Sequence, residues 1–394
     1  MTITGKRFFL ITIVYLLLSA VPLTAEMVTD NKFGWSLDLP EGFKVDDHTD
    51  DGMSYLFSHD RMPVSLAVKL YEKGTYASAD DALSGAVAKL PSGTCRKSLF
   101  TWRNTDCSLG TFSMTLGQKK YAGWAEAVTL PAEQTQIVLL CYAGTQIEKD
   151  CEQFIMSVLN SLAIDRGSNF EPGIIVSYAF PQTEKQNVTL MINRHEIKTW
   201  LDKDDIAAAD FVVNCEYAVL SLYADNERWQ QAWQRYYRLI FRDSCGRLKK
   251  ASFDISAALS GDAQKLNPEN PDEGMAQLLL TWTQGFTYER EKDKADFTPL
   301  PAVLSGKGSD CDSRSLLVCV LLENMGTKTA LFVSREYSHA VFGADVKSFS
   351  AGENARMTAG GTDFLLGETT AHVNMGLIAQ NMQDTGKWLP VELP

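Results

Sequence analysis

The sequence predicts an α+β protein of two domains, and three observations carry that expectation. Its 394 residues exceed what one ordinary hydrophobic core holds. Residues 27–164 alternate apolar and polar positions through several strands and close on one amphipathic helix, the pattern of a sheet with few helices. A polar, turn-rich stretch, Asp165 to Pro172, then leads into residues 173–394, where helical runs precede a cysteine-bearing helix and more short strands. Hydrophobic content of 45% and charged content of 22% are those of a globular chain. The net charge of -12 is spread along the sequence and repels phosphate backbones, so nucleic acid is not an expected partner.

Residues 1–25 are expected to be a signal peptide. Lys6 and Arg7 form a short basic start, Phe8 to Val21 is an apolar run, and Leu23-Thr24-Ala25 offers a small residue at the cut. The run is shorter than the ~20 residues of a membrane span. Leu23 departs from the small residue preferred three positions before the cut, which leaves an uncleaved membrane anchor open. Export to a periplasmic or secreted, oxidising location follows.

Within 27–164, Phe33 to Pro40 alternates as a strand into a Pro40-Glu41-Gly42 turn, and Val64 to Tyr71 alternates again. Ala79 to Leu90 has helical spacing with Asp80 and Asp81 in its first turn. Lys120 to Leu130 and Thr135 to Tyr142 are further strands, and Ile147 to Leu162 is the closing helix, with Phe154, Val158 and Leu162 on one stripe. Beyond the linker, Ile174 to Phe180, Val188 to Ile192 and Phe211 to Tyr223 read as strands. Glu227 to Arg242 and Asp272 to Phe286 read as helices. His48 and His59 fall in polar stretches and are expected to be solvated; His195 looks like a surface residue.

Under export, six of the eight cysteines are candidates for disulfides. Cys95 and Cys107 flank a hairpin turning at Arg103-Asn104, Cys141 and Cys151 lie between a strand and a helix, and Cys215 with Cys245 remain by elimination. Cys311 and Cys319 share one helix with about 12 Å of rise between them, beyond the ~7 Å that a disulfide spans.

The chemistry concentrates near the C-terminus. Ser309 or Asp310 is a good N-cap, which places Cys311 in the first turn of a helix, where unpaired N–H groups favour a thiolate. Leu316 to Met325 is apolar around most of its circumference, the mark of a buried helix, and Gly326 suits its cap. Lys328 to Ser334, Tyr337 to Val346 with His339, and Thr362 to Gly367 leading to Glu368 are strands that would bring a base and an orienting acid to the sulfur. Asp345 and Asp363 are rivals for the acid, and a bridged Cys311, for example to Cys245, is the alternative to a nucleophile. Asp310 and Asp312 are read as helix-start carboxylates and not as calcium ligands; no metal or cofactor is expected.

Gly308-x-x-Cys311-Asp312-x-x-Ser315-Leu316-Leu317, Ser338-His339-Ala340 and Glu368-Thr369-Thr370 together resemble the transglutaminase-like cysteine hydrolase core over about residues 270–375. That resemblance implies a papain-like fold with Cys311 as nucleophile, His339 as base and Glu368 as orienting acid, acting on an amide of a peptide or protein substrate, in the cell envelope if exported. Three departures stand out: Glu368-Thr369-Thr370 where aspartate and proline are usual, Val341 where an aromatic is common, and a long Lys347 to Gly361 stretch expected to be an insertion or loop over the cleft. Tyr288 or Arg314 are candidates for a side-chain oxyanion donor. The Leu39 to Phe43 turn and the closing helix make residues 27–164 resemble PsbP-like domains, which are usually non-catalytic. The alternative function is an exported peptide- or protein-binding protein that keeps the fold without catalysis, or one whose N-terminal part does the binding.

Overall fold

The computed structural model describes residues 27–132, 134–290, 295–347 and 354–394. The expected signal peptide lies outside them. No helix among the described residues is long and apolar enough to cross a membrane.

The architecture is mixed α+β with antiparallel sheets. A short ribbon of β1 (Val28–Asp30) and β2 (Trp35–Leu37) precedes β3 (Phe43–His48), β4 (Ser54–His59), β5 (Val64–Tyr71), α1 (Ala79–Ala88), β6 (Thr94–Trp102), β7 (Thr105–Leu116), β8 (Lys119–Thr129), β9 (Gln136–Gly144) and α2 (Glu152–Asn160). Among the described residues, β3 to β9 form one sheet in the order β3-β4-β5-β9-β8-β7-β6. Period-two alternation gives it two apolar faces. Ala82, Leu83, Ala86 and Val87 of α1 cover one, against Phe112, Ala125 and Leu140. Trp35, Leu37 and the α2 residues Phe154, Ile155, Val158 and Leu159 cover the other. The β6–β7 hairpin turns at Arg103 and Asn104, both at positive φ (51° and 59°), as the sequence anticipated.

The C-terminal part contains α3 (Ile174–Ala179), β10 (Lys185–Ile192), β11 (His195–Asp202), α4 (Asp205–Ser221), α5 (Trp229–Leu266), α6 (Pro271–Gln284), α7 (Leu300–Leu304), α8 (Cys311–Asn324), β12 (Thr329–Ser334), β13 (His339–Ala344), β14 (Arg356–Ala359), β15 (Thr362–Gly367) and β16 (Leu389–Glu392). The sheet order is β14-β15-β13-β12-β16. Helix α8 is buried from Leu316 to Leu322 between this sheet and α5 and α6.

Two segments expected as strands are helices. Ile174–Ala179 is α3, and Phe211 to Ser221 is the second half of α4. Their β-branched and aromatic runs suit a strand locally, but Ala208, Val212, Cys215, Glu216 and Val219 bury one helical face, and tertiary packing overrides the propensity. The helix expected to end at Arg242 continues to Leu266, 38 residues in all. Gly246, which resembles a stop, lies where the connecting segment crosses: a Cβ there would sit 2.7 Å from Pro172 Cδ. The second half of the expected loop forms β14, hydrogen-bonded to β15, while residues 348–353 lie outside the described residues.

The segment 165–172 is packed down. Asp165 caps a short 3-10 turn (Arg166–Phe170), and the buried Arg242 guanidinium donates to the carbonyls of Ser168, Glu171, Asn160, Ser161 and Leu162. Arg235 bridges the two parts again, donating to Asp38 O and Ser157 O and pairing with Glu216 at 2.7 Å. The N-terminal core also takes in Ile174, Ile175, Val219, Tyr223 and Ala232. His59 is buried here rather than solvated: its Nε2 donates to Glu41 O, beside Tyr223, and burial lowers its pKa.

All eight cysteines are free thiols, which overturns the expected disulfides. The β6–β7 register sets Cys95 opposite Phe112, five residues along the strand from Cys107, or about 16 Å at ~3.3 Å per residue. The two also face opposite sides of the sheet. Cys215 donates to Gln153 O, while Cys245 is buried in the C-terminal core; Cys141 and Cys151 share the N-terminal core unbridged.

Candidate active site

Cys311 is the first residue of α8. Asp310 has the extended backbone of an N-cap, and its Oδ1 accepts from Ser313 N (3.0 Å) and Ser313 Oγ (2.7 Å), so the helix starts where the sequence placed it. Ser313 Oγ in turn accepts from Thr298 N, pinning the approach segment to the helix start. One turn further, Ser315 Oγ contacts Ala340 O (3.4 Å) and Thr369 Oγ1 (3.3 Å), which fixes α8 against the two segments carrying His339 and Glu368.

His339 opens β13 directly after Ser338, a non-glycine residue at φ 49° in the tight turn from β12. Its Nε2 donates to Glu368 Oε2 at 2.6 Å. Glu368 is 4% exposed, and its other oxygen accepts from Thr370 N (2.8 Å) and Thr370 Oγ1 (2.7 Å). Burial opposes its ionisation, but His339 and Thr370 outweigh burial and hold the carboxyl below the usual glutamate range. Gln284 of α6 grips the Glu368 carbonyl at 2.9 Å. The second nitrogen, Nδ1, is therefore the one left for proton transfer.

Cys311 is 5% exposed, and the main chain of Ala340, the residue after His339, lies close enough to oppose, as the smallest of the influences on it, the rise of its pKa. Cysteine, histidine and acid thus converge at one end of the sheet. The sulfur, however, lies 3.1 Å from Asp312 Oδ1, to which the thiol donates. The other Asp312 oxygen accepts from Tyr237 Oη of α5, a residue 1% exposed. The sequence anticipated a thiol of lowered pKa at the helix start. Instead, burial first, then the Asp312 and Asp310 carboxylates, push it well above the ordinary thiol range. Asp310 and Asp312 are themselves raised, by burial first.

Of the rival acids, Asp363 pairs with Arg356, and Asp345 lies past the far end of β13 from His339. His372 is exposed, and His195 pairs with Asp262. Arg314 is spent on Ser309 Oγ, Phe286 O and Thr369 O, with its guanidinium over the Tyr288 ring, so it is not an available oxyanion donor. Tyr288 is 51% exposed and close enough to Cys311 and Asp310 to be raised by them, after burial. Sequence reasoning set Asp312 aside as a helix-start charge and had no signal for Tyr237, which sits 75 residues away. No group of His, Cys, Asp and Glu among the described residues is arranged to hold a metal ion.

No protein-family model and no curated protein matches the sequence. Among solved structures, the chain is similar to the PsbP protein of the cyanobacterium Synechocystis sp. PCC 6803, at 12% identity and TM-score 0.30, covering 35% of this chain and 91% of that one. It is also similar to LpqN of Mycobacterium tuberculosis, described as involved in cell envelope biogenesis, at 16% identity and TM-score 0.25, over 35% and 86%. A structure from Bacteroides thetaiotaomicron is matched at 10% identity and TM-score 0.24 over 92% and 93%. Likenesses this low carry no weight for the site, whose chemistry rests on its own geometry.

Proposed function

We propose that this protein is an exported thiol enzyme of the transglutaminase-like, papain-like kind. Its N-terminal part is a PsbP-like module, and its C-terminal part hydrolyses or transamidates an amide bond in an envelope peptide or protein. One observation carries the proposal: the His339–Glu368 pair at 2.6 Å lies on the two segments that Ser315 holds against α8, the helix that opens with the buried Cys311. In the first half-reaction the sulfur attacks the carbonyl carbon, its proton passes to the imidazole, and the imidazole returns that proton to the departing amine as the C–N bond breaks. Glu368 keeps the ring oriented and stabilises the imidazolium. The main-chain N–H groups of the first helical turn suit the oxyanion. Water or an amine then resolves the thioester.

The test is acylation with p-nitrophenyl acetate. A burst of nitrophenolate, with the acetyl group mapped to Cys311 by mass spectrometry and released slowly when His339 is changed to Ala, is the expected result. An acetyl group on other residues, or turnover that His339→Ala leaves unchanged, returns the chain to a non-catalytic peptide- or protein-binding role.

A further inference from the structure

We propose that Asp312 is a further catalytic residue: it holds the Cys311 thiol hydrogen, and its charge fixes the pH at which the sulfur turns nucleophilic. This deepens the thiol-enzyme proposal and rests on it. Asp312 Oδ1 accepts from the sulfur at 3.1 Å, while Oδ2 is occupied by the Tyr237 hydroxyl, so both oxygens are committed and the carboxylate cannot swing away. Asp310, the other carboxylate beside the sulfur, is turned into the helix by Ser313 and makes no such contact.

The charged and titratable groups around this pair come from every side. Asp310 and Arg314 lie on the same helix start, Tyr236 and Tyr237 on α5, His339 on β13, and Asp296 and Tyr288 on the approach segment. Arg314 is directed at carbonyls and at the Tyr288 ring. His339 is balanced by Glu368. An anionic sulfur beside an anionic Asp312 in a buried site is opposed by like-charge repulsion, which the low local dielectric magnifies. Burial and these carboxylates already place the thiol well above the ordinary range. The helix start alone would act in the opposite direction. Asp312 therefore keeps the sulfur protonated at rest, and the proton leaves to the imidazole only when bound substrate draws on the sulfur.

The test is the rate of iodoacetamide alkylation against pH on the full chain, with the label mapped to the Cys311 peptide. Asp312→Asn keeps the shape and removes the charge. The expected result is a midpoint lower by at least one pH unit, about tenfold faster labelling at pH 7. Asp310→Asn, whose amide still caps the helix, is expected to move the midpoint in the same direction by less. If circular dichroism shows that Asp312→Asn does not fold, Asp312→Ser replaces it. A profile for the charge-removed variant that superimposes on the unaltered protein, or moves to higher pH, overturns the proposal while leaving Cys311 as the nucleophile. A label on that peptide that survives Cys311→Ala removes both.

Discussion

Glu126 and Glu368 are both buried glutamates of antiparallel sheets, 0% and 4% exposed, and they are opposite in every other respect. Glu126 sits mid-strand in β8, opposite Leu109 and Leu139, and neither of its oxygens meets a hydrogen-bond donor among the described residues. Burial raises it well above the normal carboxyl range, and the nearby Arg242 only partly offsets this, because that guanidinium is committed to five carbonyls. Glu368 stands just beyond the end of β15, where three donors from His339 and Thr370 reach its two oxygens, and it is held ionised. Burial by itself makes a carboxyl neutral and inert. Partners delivered at a strand end make it a charge that can orient an imidazole.

That contrast can be broken most sharply at the site. Glu368→Gln removes the charge but keeps the shape, and the wrong imidazole tautomer is then favoured; under the proposed thiol chemistry, thioester turnover is expected to fall by about 10²–10⁴-fold. The loss should be measured from pH 4 to 8. The folded carboxyl is held below the ordinary glutamate value of about 4.3, so it stays ionised over that range and the difference between the proteins should persist to its acid end.

A smaller effect, on stability rather than rate, is expected where the two parts meet. Arg235→Met leaves Glu216 buried without its partner and strands Asp38 O and Ser157 O. Urea unfolding should show a loss of about 3–5 kcal/mol. No loss would mean that the joint between the parts contributes little to the fold.

The smallest change is a gain. Glu126→Gln removes a carboxyl that must stay protonated in the folded core. Because its folded pKa is raised, the unaltered protein keeps its full stability below about pH 4.3 and loses it as pH rises toward the folded value. The variant should be nearly neutral at pH 4 and more stable by about 1–3 kcal/mol at pH 8. Equal stability of the two proteins across that range would show that Glu126 has a donor in solution, and the contrast with Glu368 would shrink to one of position.

The residues of the candidate site could be singled out because their signals are local. An Asp310 cap followed by an apolar run defines a helix start within a few residues, and the β12–β13 turn and the end of β15 are set by their own alternation. Those patterns sufficed to name Cys311, His339 and Glu368. The same local reasoning misread Ile174–Ala179 and Phe211 to Ser221, where the burial of one face, not the β-branched composition, chose the helix. It also paired cysteines that the sheet register keeps apart.

What the chain determined by itself is where backbone hydrogen-bonding patterns begin and end, since caps, turns and periodicity act over a handful of neighbours. What only the tertiary structure decided is which charges meet and which are dry: Tyr237 on Asp312, Asp312 on the sulfur, Arg235 on Glu216, and Glu126 with no hydrogen-bond donor among the described residues. Tyr237 and Asp312, and Arg235 and Glu216, are far apart in sequence, and the dielectric around even the adjacent Cys311 and Asp312 exists only once the core has closed. The protonation state of Cys311 therefore belongs to the fold and not to the motif that carries it.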